Sequence, residues 1–185
     1  MLAIIAIAGL VCLALGVVLR RRLGTTTALA LAGLLWSLVV IGAITLIPAT
    51  GAPGVVSASA HPNSCSWDIG GPAPTGFWIF SGGQRLLNTL VFVPPAALLV
   101  LAAARWRSAW VLVPVGFVLL AAYSVGIEAT QLVLARLDRA CDVTDVVDNV
   151  TGAAVGVLLG LVLAVLFRPW RQRHRRGPGR AVRRG

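Results

Sequence analysis

The sequence predicts an all-α polytopic membrane bundle of about five transmembrane helices, with the N-terminus outside and the C-terminus cytoplasmic. Three observations predict it. Of 185 residues, 58% are hydrophobic and only 12% charged. That is more apolar surface than a soluble domain of this size can bury, so lipid must be part of the solvent. The apolar residues fall into five runs, Leu2 to Leu19, Ala28 to Ile47, Leu86 to Ala104, Ala109 to about Leu134, and Val150 to Phe167. Each approaches the roughly 17–25 residues a helix needs to cross about 30 Å of hydrocarbon. Finally, all sixteen basic residues are arginines, and most follow an apolar run, where cytoplasmic anchoring charges sit.

The first run has no basic residue before it and no small-residue cleavage site behind it, so it reads as a span and not as a secretory signal. Arg20, Arg21 and Arg22 close it. After the second run comes the only long connection, Pro48 to Arg85, rich in Pro, Gly and Ser and carrying Trp67, Phe77 and Trp78. Its aromatic residues suit the headgroup layer, which makes it an interfacial, partly ordered extracytoplasmic loop. Pro94, Pro95 and Pro114 fall inside the third and fourth runs, where each removes a helical hydrogen bond and invites a kink that neighbouring helices can repair. On the last run Gly152, Gly156 and Gly160 recur every four residues, a smooth stripe for close helix approach, within the monomer or in a dimer.

Orientation follows from the arginines. With the N-terminus outside, only Arg85, Arg136 and Arg139 fall on the outer side, whereas the reverse topology would export nearly all of them. The chain therefore divides into two N-terminal spans (1–47), the loop (48–85), a three-helix region (86–167) and a basic cytoplasmic tail (168–185), a multi-pass protein of the cell membrane. The formal charge of +10 raises the question of nucleic acid, but the placement of the arginines excludes that partner. Membrane lipids are the expected partners. The tail can hold anionic headgroups, each basic group contributing about 1 kcal/mol near such a surface. The oligomeric state is left open.

The sharpest signal is acidic. Of six acidic residues, Glu128, Asp138, Asp142, Asp145 and Asp148 lie between positions 128 and 148. Glu128 is deep in the fourth run, where a lipid-facing carboxylate costs several kcal/mol, so it should point into the bundle or a wet cavity. Gln131 shares its helical face. Asp142, Asp145, Asn149, Gly152 and Gly156 recur at intervals of three and four, so a last helix beginning near Asp142 would carry them as one stripe. Asn88, at the outer start of the third span, and Arg85 and Arg139 beside the same surface could converge on it.

The bland reading is that these carboxylates cap the last helix and pair with arginines; the alternative is a binding or catalytic site. No ligand spacing defines a metal site, both histidines (His61 and His174) lie away from the cluster, and no cofactor is expected. Cys12 reads as apolar filler. Cys65 and Cys141 both fall on the outer side, where an oxidising compartment would permit a disulfide tying the loop to the acidic segment; otherwise they are two separate thiols. No Ser or Cys stands in a nucleophile elbow, and Ser124, one turn before Glu128, reads as a packing hydroxyl.

Three blocks in this order, Asn88-Thr-Leu-Val-Phe92-Val-Pro94, Ser124-Val-Gly-Ile-Glu128-Ala-Thr-Gln131, and Arg139-Ala-Cys141-Asp142-Val-Thr-Asp145-Val-Val-Asp148-Asn149-Val-Thr-Gly152, resemble the VanZ-like family. The resemblance covers roughly Asn88 to Gly160. One departure is Ala96, where that family's first block usually has glycine. The resemblance implies a small bacterial membrane protein of the cell envelope; the namesake member lowers susceptibility to the lipoglycopeptide antibiotic teicoplanin. Three functions are then in view. In the first, an outer-leaflet site built from Asn88, Glu128, Gln131, Arg139, Asp142, Asp145 and Asn149 binds an envelope lipid or glycan precursor. In the second, the same site is catalytic, with Glu128 as acid or base acting on a lipid-linked phosphate or sugar. Or the chain is a small transporter, although five spans show no inverted repeat.

Overall fold

The computed structural model describes residues 1–47, 64–67, 83–134 and 141–169. Arg139, most of the long connection with Phe77 and Trp78, Arg136, Asp138, both histidines and the tail beyond Pro169 lie outside the described residues. Five helices follow in order: α1 (Leu2–Leu23), α2 (Thr25–Leu46), α3 (Gly83–Ala103), α4 (Ala109–Leu134) and α5 (Val143–Phe167). All five are long and apolar enough to cross a membrane. Among the described residues no β-strand occurs; there is a single isolated bridge.

Four of the helices, α1, α2, α3 and α5, take in polar residues at one end of their apolar runs. The first turns of α2, through Thr25 and Thr26, and of α3, through Arg85, are polar. Most notably, α5 begins about two turns before Val150. Asp142 explains that early start. Its backbone is extended and its carboxylate accepts from Thr144 N at 2.8 Å, an N-cap that satisfies one of the helix's orphan donors.

Adjacent helices are joined tightly at one end of the bundle. Gly24, at φ 80°, turns α1 directly into α2, a left-handed backbone value that costs glycine nothing. The short turn between α3 and α4 carries Arg105, whose Nη1 donates to the Leu23 carbonyl and so caps the end of α1. This is the arginine end of the bundle, holding Arg20–Arg22, Arg105, Arg107 and Arg168. The opposite, acidic end holds Glu128, Asp142, Asp145 and Asp148.

The centre of the bundle is α3, which packs most extensively on α5 and also on α2 and α4, whereas α1 lies chiefly along α2. The glycine stripe of α5 faces α3. A Cβ on Gly152 would run into the Thr89 carbonyl, one on Gly156 into the backbone of Val93, and one on Gly160 would lie 2.8 Å from the Ala97 carbonyl. Small residues let the two backbones touch, and in lipid such packing is what holds helices together. Helix α3 runs unbroken through Pro94 and Pro95, and Ala96, the departure from the family pattern, is fully buried against Gly156. The core is completed by Ile41, Phe92, Leu120 and Ile127. Outward-facing side chains such as Leu10, Val118, Leu158 and Leu166 are exposed, as they are on a surface solvated by acyl chains.

Candidate functional site

At the acidic end, polar links fasten the helices. Arg85 on α3 meets Asp148 on α5 as a fork, Nε to Oδ2 and Nη2 to Oδ1 both at 2.9 Å, with Asp148 0% exposed and Arg85 15%. Two parallel charge-assisted bonds are the strongest pairing these side chains make. Next, Asn149 on α5 donates from Nδ2 to Ser124 Oγ on α4 at 2.9 Å, both residues buried. Third, Gln131 donates from Nε2 to the Thr45 carbonyl at 3.1 Å, capping the C-terminal end of α2 from α4. An open carbonyl in that position costs several kcal/mol where water is scarce.

Glu128, one turn before Gln131, faces α5 instead. Its Oε2 accepts from the backbone N–H of Asp142 at 3.1 Å, so two carboxylates meet the positive N-terminal end of α5. A chain segment closes over this point. Cys65 and Cys141 form a disulfide, with Cα atoms 4.6 Å apart. Beside it Ser66 N–H donates to the Cys141 carbonyl at 2.9 Å and Val143 N–H to the Ser66 carbonyl at 3.1 Å. The piece around Ser66 is thus stapled, covalently and by a parallel bridge, to the entry of α5.

Under that staple, between α4 and α5, runs an apolar groove of about 360 Å³. Val125, Ala129 and Leu132 form one wall, Val143 and Val146 the other, and Trp67 with the disulfide the roof. Its two polar residues are Glu128 and Asp142. Glu128 is only 5% exposed. The groove is therefore lined almost wholly by hydrocarbon and is open to the side of the bundle, with Glu128 accepting from the Asp142 N–H and Asp142 from the Thr144 N–H beside it.

The VanZ/LLP1 family model matches residues 2–168. The chain belongs to the VanZ/LLP1 family. The match takes in α1 and α2 as well as the three motif blocks, so the family extends over the whole bundle. No curated protein and no solved structure matches the chain.

Within this family member the sequence candidates separate into three groups. Glu128 and Asp142 line the groove. Gln131 and Asn149 hold neighbouring helices through the bonds above, and Asn88, within one turn of Arg85 on α3, places a buried amide nitrogen in the bundle; none of these three is a wall of the groove. Asp145, in the first turn of α5, lies outside it too. Arg139 falls outside the described residues. The residue that sequence reading left out of the site is Asp148. It had a signal, three positions after Asp145 and four before Gly152, which puts it on the polar stripe facing α3. Ser124 likewise proves to be a hydrogen-bond acceptor within the bundle. Among the described residues no group of three or more His, Cys, Asp and Glu side chains could hold a metal ion.

Proposed function

We propose that this VanZ/LLP1-family protein is a cell-envelope component that binds an envelope lipid or lipid-linked glycan precursor in the groove at its acidic end. The observation that carries this reading is an apolar groove between two membrane-length helices with a buried acidic residue, Glu128, in its lining. The hydrocarbon walls suit an acyl or isoprenoid chain. Glu128 and Asp142 suit a headgroup that donates hydrogen bonds, through sugar hydroxyls or an amine, because ionised carboxylates only accept. In this reading the acidic end faces outward. Support comes from the arginines at the opposite end and from the disulfide, which belongs to an oxidising compartment.

The test is native mass spectrometry of the protein released gently from its own membrane, comparing wild type with Val125→Trp, which fills the groove from an exposed position, and with Glu128→Gln. A defined envelope lipid should accompany wild type, be lost from Val125→Trp and be weakened in Glu128→Gln. Identical lipid profiles in all three would sink the proposal. If the namesake's effect on glycopeptide susceptibility extends to this chain through the groove, expression in a teicoplanin-sensitive host should raise the inhibitory concentration, and Val125→Trp should cancel the rise.

A further inference from the structure

On the other half of the bundle, α2 and α4 diverge. Near the acidic end they are tied by Gln131 to Thr45 and by the Tyr123 hydroxyl, which donates to the Leu38 carbonyl at 2.8 Å. Toward the arginine end they part, and α3 forms the floor between them. Two apolar hollows open there, of about 410 Å³ and about 210 Å³. They share Leu34, Leu99, Gly116 and Leu119, so they are two reaches of one groove. It starts at Trp106 and Ser108 and stops at Tyr123, a rise of about 20 Å along α4. One leaflet of hydrocarbon is about 15 Å deep. The groove is long enough for one acyl chain lying along the helix.

Charge at its mouth selects the headgroup. Arg107, between Trp106 and Ser108, is exposed, and the described acidic residues Glu128, Asp142, Asp145 and Asp148 all lie at the opposite end. Arg20, Arg21 and Arg22 are exposed at the same level, and Arg105 is directed to the Leu23 carbonyl. Ser108 adds a hydroxyl. A zwitterionic headgroup would leave this field uncompensated, whereas a phosphate with net negative charge would meet it.

We propose that the groove between α2 and α4 is a binding site for one anionic phospholipid, its tail along Leu34, Leu99 and Leu119 and its phosphate at Arg107 and Ser108. This site is separate from the groove at the acidic end and does not depend on the function proposed for it.

Native mass spectrometry of the purified full chain in detergent, titrated with phosphatidylglycerol or with phosphatidylcholine of the same tails, tests this. Wild type should take up one phosphatidylglycerol about five-fold more tightly than phosphatidylcholine, the effect of one basic group at an anionic surface. Arg107→Gln, a surface change, should bring the two lipids level. Leu119→Trp, filling the groove from a position 64% exposed, should weaken both, while Leu158→Trp, equally exposed on α5, and Val125→Trp in the other groove should leave the preference intact. Equal binding of the two lipids by wild type would overturn the proposal, as would a phosphatidylglycerol adduct undiminished in Leu119→Trp. So would a dimer mass abolished by Leu119→Trp, which would make the groove an interface between two copies.

Discussion

Arg85 and Asp148 show what a buried charge does in this bundle. Each ion loses hydration when enclosed, and their mutual attraction offsets that loss only while both are present and well aligned. The fork satisfies both carboxylate oxygens, so removing one charge strands the other. Asp148→Asn should therefore destabilise the protein by about 3–5 kcal/mol. Replacing the pair together, Arg85→Met with Asp148→Leu, should restore most of that. Denaturation of the purified protein in mixed micelles reads both numbers, and a single variant as stable as wild type would show that the pair is not a structural clamp. The partner of Asp148 was not legible from local pattern, because Arg85 stands 63 residues away in sequence and nothing along the chain announces the pairing. Glu128 was more legible: a carboxylate that deep in an apolar run must face protein or water on energetic grounds alone.

Among the elements, α5 is decided by its face toward α3. Gly152 is buried with the Thr89 carbonyl where its Cβ would be, and a backbone atom cannot swing aside as a side-chain tip can. Gly152→Ala should cost about 1–3 kcal/mol through forced separation of α3 and α5. Gly126 on α4 has nothing within 4 Å of the equivalent point, so Gly126→Ala should stay within about 0.5 kcal/mol of wild type. Thermal melting of the two variants in one detergent compares them directly, and equal losses would contradict the close-packed interface. The existence of all five helices was legible from hydrophobic run length, since lipid demands about the same length from each. Their starts were less so. The apolar run places α5 at Val150, but the helix begins at Val143 because Asp148, Asn149 and Gly152 face other helices, where polar and small side chains are an asset. Only the spacing of that stripe carried the information.

For the whole molecule, the two ends of the bundle differ in chemistry and imply an orientation. The arginine end has short turns and Arg105 bound to a helix-end carbonyl; the acidic end has a covalent staple. Joining Cys65 to Cys141 closes a loop across 76 positions that includes all of α3 and α4, so the staple restrains most of the motif-bearing region against coming apart. Cytosolic thiols are kept reduced, so a stable bridge is expected only if this end lies on the outer side, the same answer that the arginines favour. The two arguments are physically independent, one resting on charge translocation and the other on redox chemistry. They meet in one measurement. In cells expressing the Cys12→Ala variant, non-reducing peptide mass spectrometry should find Cys65 linked to Cys141. After mild reduction, a membrane-impermeant thiol reagent added to intact cells should label both. Labelling only after lysis, or two thiols alkylated without prior reduction, would put the acidic end in the cytoplasm and move the proposed lipid groove to the inner leaflet, where precursors on the outer surface could not reach it.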